Sequence, residues 1–217
     1  MLIRTFTGGS FGQNTYLVEN EETRSAVAVD PGAGATRLVE AVRSDGLSLQ
    51  AVVLTHAHLD HVEGVRVVRD FMPDIPIYIH PADLQLYRSL PQQAAMFGLH
   101  ADVQPEPTDD LVPGQDVTFD GVTFEVRFTP GHAPGHVILV APDDGFAIVG
   151  DVVFQGSIGR TDLPGGDFKT LMASIREQVL TLPDDMVLYT GHGPPTTVGA
   201  EREGNPFLIP HYGGGLA

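Results

Sequence analysis

Apolar positions in this chain fall in short runs whose spacing switches between two and three to four residues, the signature of strands alternating with helices. TYLVEN (15–20) and SAVAVDPG (25–32) read as strands, the second ended by an Asp-Pro-Gly turn. ATRLVEAVRSDG (35–46) has helical spacing and closes on glycine. A strand AVVLT (51–55), a helix from about 62 to 71 and a strand IPIYIH (75–80) follow. The next helix opens with PADLQLYRSL, where proline suits the first helical position.

The second half reads as strands first. DVTFDGVTFEVRFT (116–129) alternates around Asp120-Gly121, a strong hairpin signal. HVILVAPDDGFAIVGD (136–151) is a second hairpin with its turn at 142–145. An amphipathic helix spans 167–182, with Leu171, Ile175 and Leu182 among its apolar positions, and MVLYTGHG returns to strand. No linker or low-complexity block divides the halves, so residues 1–217 are expected to form one α/β domain. Two packed sheets with outer helices and one mixed sheet both fit this pattern.

Composition narrows the chemistry. At 42% hydrophobic residues the chain can bury a substantial core. It has no cysteine, so disulfides, thiolate ligands and a cysteine nucleophile are excluded. Twelve basic against 28 acidic residues give a net charge of −16, the wrong sign for gripping nucleic-acid phosphates or anionic membranes. No apolar run approaches the roughly 20 residues of a membrane span, and MLIRTFTGGS lacks the features of a secretory signal. A cytoplasmic protein without membrane or nucleic-acid partners is the expectation; the oligomeric state is left open.

The chemistry-bearing residues sit where strands end. THAHLDH places His56, His58, Asp60 and His61 just after an apolar run, a pattern open to two readings, a metal site or a solvated turn. If the chain stays extended, His56 and His58 project to one side. The same punctuation recurs at His132 in FTPGHAPGH, Asp151 in AIVGDVVF and His192 in VLYTGHGPP. A carboxylate at the end of a buried strand is costly unless paired or metal-bound, which favours the metal reading.

This order of His-x-His-x-Asp-His, then His, Asp and His after separate strands, resembles the metallo-β-lactamase superfamily over nearly the whole chain. The resemblance implies an αββα sandwich of two mixed sheets with helices on the outer faces. It further implies two divalent metal ions, zinc foremost with iron or manganese as alternatives. His56, His58 and His132 would hold one ion, Asp60, His61 and His192 the other, and Asp151 would bridge them. Seven ligands and two divalent ions leave a local surplus of about +2, reduced to about +1 by a bridging hydroxide. Asp30 matches a position that supports a ligand from behind, although capping its own turn is an equal reading. His136 finds no ligand slot and is read as structural, while His80, His100 and His211 have no partners visible in sequence. GGSFG (8–12) matches a nucleophile pattern in form only, since no long buried strand precedes it and no helix follows.

Within that superfamily the segments THAHLDHVEG, TPGHAPGHV, GSIGRTDLPGGD and GHGPPTTVGAEREGNPF are similar to glyoxalase II-like (hydroxyacylglutathione hydrolase-like) hydrolases of a short form. The longer glutathione-specific enzymes carry a C-terminal helical domain, and about 25 residues after His192 leave no room for one. The implied reaction is attack of a metal-bound hydroxide on a thioester such as S-D-lactoylglutathione, with Asp60 orienting the nucleophile. Arg160 has two readings, a cation for a substrate carboxylate or a salt bridge to Asp162. Persulfide dioxygenases resemble the chain through Gly-Arg-Thr-Asp and would use one iron on His56, His132 and Asp151, but TPGHAPGH and TGHGPPT are hydrolase-like. A lactone or ester hydrolase on the same site is a further alternative. A scaffold that has lost catalysis is disfavoured by the complete ligand set, and a nuclease by the charge.

Overall fold

Strands buried on both faces organise the computed structural model, which describes residues 1–209; His211 lies outside them. One sheet runs in spatial order through β1 (Leu2–Gly8), β2 (Gln13–Asn20), β3 (Ser25–Val29), β4 (Ser48–Val53), β5 (Ile77–Ile79) and β6 (Asp109–Asp110). Its first three strands pair antiparallel and the rest parallel. The second sheet holds β7 (Asp116–Phe119), β8 (Val122–Phe128), β9 (Val137–Ala141) and β10 (Phe146–Gly150). A small ribbon of β11 (Val153–Phe154) and β12 (Ser157–Ile158) follows, and β13 (Val187–Thr190) and β14 (Thr196–Thr197) then complete the second sheet. The helices are α1 (Ala35–Asp45), α2 (Leu59–Val62), α3 (Val65–Phe71), α4 (Leu84–Arg88), α5 (Leu90–Met96), α6 (Phe168–Ser174) and α7 (Val198–Gly204). None is long and apolar enough to cross a membrane.

Side-chain alternation builds the layers. In β2, Tyr16 and Val18 join Val27, Val137, Leu139 and Ile148 in the core between the sheets, whereas Leu17 turns outward to join Leu38, Val42 and Val65 under α1 and α3. In β9, Val137 and Leu139 enter the inter-sheet core while Ile138 and Val140 pack with Leu171, Ile175 and Val179. The result is helix, sheet, sheet, helix, the two-sheet solution of the alternatives open in the sequence. Because both faces of these strands are covered, they read as continuous apolar runs rather than alternating ones.

Local details depart from the sequence reading for physical reasons. The helix expected near 62–71 is two pieces, α2 and α3, broken at Gly64. A Cβ there would lie 2.2 Å from the Gly32 carbonyl oxygen, and the Gly64 amide donates to the Pro31 carbonyl (2.8 Å). The helix expected over 167–182 starts as read, with the Asp167 carboxylate accepting from the Thr170 amide (2.7 Å), then widens into a π-turn at Ile175–Val179. Strand β1 was missed because it is an edge whose residues stay partly exposed. The hairpin at Asp120-Gly121 forms as expected, both residues having positive φ (44° and 88°) and Phe119 pairing with Val122.

The sheets are tied together beside the site. Tyr16 of β2 donates its buried hydroxyl to the Thr190 carbonyl of β13 (2.6 Å). Asn14 donates through Nδ2 to the carbonyls of Thr190 (3.0 Å) and Gly193 (2.8 Å). Tyr16→Phe should cost about 1 kcal/mol in urea unfolding, since Thr190 keeps its second donor. Asn14→Ala removes donors from two carbonyls and should cost more than Tyr16→Phe.

Candidate metal centre

The strand polarity explains why distant residues meet. β8 and β10 both lie antiparallel to β9, and β10 lies parallel to β13, so these three strands end at the same edge of the second sheet. His132, Asp151 and His192 follow those three ends, and the first sheet delivers His56 and His58 in the loop after β4. Asp60 and His61 ride on α2, directly after His58. Among the described residues, donor atoms of His56, His58 and His132 lie within 4.8 Å of one another, as do those of Asp60, His61 and His192.

Asp151 stands between the two groups. Its Oδ1 is 3.3 Å from His61 Nε2, and its Oδ2 is 3.4 Å from both His132 Nε2 and His192 Nε2. Asp60 Oδ2 lies 3.2 Å from His192 Nε2. All seven residues expected from the sequence therefore share one site. Burial pushes the Asp151 carboxyl up, but His61, His192 and His132 together hold it well below the ordinary range. His58 is pulled down to about 3 by burial and by His132, so it is neutral and free to offer a lone pair.

The ring orientations turn a second nitrogen of these histidines inward. His61 Nδ1 donates to Asp30 Oδ2 (2.9 Å), His132 Nδ1 to the Arg160 carbonyl (2.7 Å) and His192 Nδ1 to the Phe11 carbonyl (3.0 Å). His56 Nδ1 lies 3.1 Å from Thr55 Oγ1, which itself donates to Asp30 (2.6 Å). His58 Nδ1 faces His132 Nε2 at 2.8 Å. Inside this frame, His56 Nε2, His61 Nε2 and Asp151 Oδ1 are buried without a well-directed hydrogen bond, the last two standing 3.3 Å apart. Buried polar atoms are seldom left so, and imidazole nitrogens with carboxylate oxygens are a donor set that divalent ions complete. The residues fit a metal.

Asp30 also lies near His56 and His61, but its carboxylate is already filled by the Thr55 amide (2.7 Å), the Thr55 hydroxyl and His61. It orients His61 from behind. His136 is likewise structural: Nδ1 meets Thr129 Oγ1 (3.0 Å), Nε2 accepts from the Asp151 amide (3.1 Å), and the ring stacks on His56 at 4.7 Å. His80 accepts from the Ala82 amide (3.3 Å), and His100 is exposed beside Asp102. Ser10 of GGSFG sits exposed in the turn between β1 and β2, and no helix follows it directly in the chain. The Arg160 guanidinium pairs with both oxygens of Asp162 (2.7 Å each) and lines the mouth of the site.

Two residues that the sequence reading passed over hold the loops in place. Asp83 is fully buried and accepts from the Ala57 amide (2.9 Å) and the Gly135 amide, joining the loop of His56 to that of His132. Gln93 accepts from the Leu59 amide (3.0 Å) and donates to the Ala57 carbonyl (3.0 Å). Their partners lie 26 to 52 residues away, so no local signal reveals them. A cleft of about 150 Å³ opens onto His58, Asp60, His132, Asp151 and His192, flanked by Phe11 and Phe97.

Asp83 generates a pH prediction. Burial raises its carboxyl from 3.8 to about 6, against the two amide bonds that favour its charge. A raised native value means that the folded state binds the proton more tightly, so this group's contribution is full below 3.8 and is lost as pH rises through about 6. Urea unfolding at pH 4.5 and 7.5 should show the stability difference between the parent and Asp83→Asn shifting against the parent by about 2 kcal/mol at the higher pH.

The metallo-beta-lactamase superfamily profile matches residues 8–192. The chain is 39% identical over 207 residues to hydroxyacylglutathione hydrolase GloC of Haemophilus influenzae, covering 92% of this chain and 94% of that protein. Its fold is similar to that of the BLEG-1 B3 metallo-beta-lactamase (TM-score 0.88, 37% identity, 96% of this chain and 100% of that one). TTHA1623, solved in a di-iron-bound form, is similar at TM-score 0.86 and 40% identity, over 94% of this chain and 100% of that one. A site built at these strand ends, within this four-layer fold and at this level of identity, means that the chain belongs to the metallo-β-lactamase superfamily.

Proposed function

We propose that this protein is a dinuclear metallo-hydrolase that opens thioesters. The observation that carries the reading is the pair of donor groups gathered on either side of Asp151, which lines a cleft together with His58, Asp60, His132 and His192. In it, His56, His58 and His132 would hold one divalent ion and Asp60, His61 and His192 a second, with Asp151 within reach of both groups. Zinc is the first choice; iron and manganese suit the same nitrogen and oxygen donors, and a di-iron relative supports that latitude. Such ions supply Lewis acidity and lower the pKa of a bound water toward neutrality.

The chain's own residues do the rest. Asp60 lines the cleft with its carboxylate held beside His192, where it can orient an attacking water. Burial pushes its carboxyl up, but His61 and His192 hold it below the ordinary range, so it stays an acceptor at neutral pH. Leu59, Phe11 and Phe97 form apolar walls that restrict bulk water around the carbonyl to be attacked. A thiol, with an unperturbed pKa of roughly 8.5, departs as thiolate without a dedicated general acid. The absence of cysteine is thus no obstacle. Similarity to GloC supports a hydroxyacylglutathione among the substrates. The second donor group, Asp60, His61 and His192, supports a hydrolase over a mononuclear dioxygenase, which would leave those three residues without a role.

The test is loss of thioester absorbance from S-D-lactoylglutathione by the metal-loaded protein. Chelation should abolish turnover, two equivalents of metal per chain should restore it, and Asp60→Ala should lower kcat on the order of 100-fold or more. Absence of turnover together with oxygen uptake on glutathione persulfide would replace this reading by the dioxygenase.

A further inference from the structure

A second cleft, of about 200 Å³, opens beside the metal centre and shares His58, Gln93, Phe97 and Leu163 with the first. Its apolar walls are Leu86, Met96, Phe97, Leu163 and Pro164, and Ser89 and Gln92 complete the lining beside the shared His58 and Gln93. Among the described residues no Asp, Glu, Lys or Arg lines it. Apolar side chains stay open at its rim: Met96 is 62% exposed and Phe97 43%. Phe97 packs edge-on against Phe11 at 5.3 Å, so one aromatic pair bounds the passage between the clefts. A connected apolar hollow of this kind, next to polar groups that fix a reacting centre, is the usual form of a specificity pocket.

Charge sharpens the choice of occupant. The chain carries a net −16, and Arg160, whose guanidinium lines the mouth, is already paired with Asp162. Among the described residues no free cation lines this hollow to meet a polyanionic arm, whereas an alkyl arm would bury surface against five apolar residues. We infer that the second cleft receives an uncharged, apolar arm of the substrate, an alkyl chain of several methylenes attached to the scissile thioester. The inference rests on the thioester reading above and adds a class of substrate beyond the hydroxyacylglutathione that similarity to GloC supports. Either the acyl side or the thiol side of the thioester could supply that chain.

The experiment uses metal-loaded protein and two series of substrates. In one, acetyl, butyryl, hexanoyl and octanoyl groups are carried on N-acetylcysteamine; in the other, acetyl is carried on ethane-, butane- and hexanethiol. In the series whose arm enters the cleft, kcat/KM should rise about four-fold per methylene until the hollow is filled. Met96→Asp, at an exposed rim position, and Ser89→Phe, which fills the hollow, should both flatten that slope. Turnover that is independent of chain length in both series overturns the apolar arm and leaves the hydrolase standing. If no thioester is hydrolysed, calorimetric binding of S-ethyl and S-octyl thioethers of N-acetylcysteamine decides the cleft by itself. Tighter S-octyl binding that Met96→Asp weakens upholds the apolar cleft with the hydrolase gone; equal affinities overturn it.

Discussion

A carboxylate buried among imidazoles is the constraint to which the rest of this structure answers. Asp151 lies within 3.4 Å of nitrogens from His61, His132 and His192, and one of its oxygens has no well-directed hydrogen bond. An ionised group in that position is unfavourable unless cations meet it. Its surroundings are cut to its shape: a Cβ on Gly191 would stand 2.0 Å from Asp151 Oδ1, so only glycine lets the chain leaving β13 pass so close. His136, a buried histidine with no ligand role, spends one nitrogen on the Asp151 amide and so sets where the carboxylate begins.

The imidazoles are aimed by what lies behind them. Three are pinned through Nδ1, to Asp30, to the Arg160 carbonyl and to the Phe11 carbonyl, which leaves Nε2 to face the centre. Each pin comes from a different part of the fold: the end of β3, the loop after β12 and the turn before β2. Asp30 serves twice, since it also binds the Thr55 amide and hydroxyl and thereby shapes the chain entering His56. The inter-sheet seam of Asn14, Tyr16 and Thr190 places His192 in register with the first sheet, where the Asn14 amide meets the Gly191 carbonyl (2.8 Å). Packing of the two sheets and geometry of the site are therefore one problem solved once.

How much of this could be read beforehand depended on whether the signal was local. His56, His58, Asp60 and His61 announced themselves because four donors follow one apolar run, and His132, Asp151 and His192 because each ends a strand. The two-sheet arrangement was only half legible, since strands covered on both faces lose the alternation that would assign a side. β1 was hidden by its partial exposure, and the break at Gly64 by a contact with Gly32 that lies 32 positions earlier. Asp83 and Gln93 were invisible for the same reason: each looks like an ordinary polar residue until the fold brings Ala57, Leu59 and Gly135 to it.

Arg160 shows how a surface pair can matter without contributing much energy. Its exposed bidentate contact with Asp162 is of the kind that adds little to stability. Both partners nevertheless belong to the segment whose carbonyl, that of Arg160 itself, accepts from His132 Nδ1. The pair thus restrains a short loop at the one peptide that sets the rotation of a ring in the centre, and Leu163 of the same loop walls both clefts. Sequence reasoning offered a choice between a substrate cation and a structural bridge. The geometry joins the bridge to the site through the backbone, so the loop carrying Arg160 couples the metal centre to the pocket beside it.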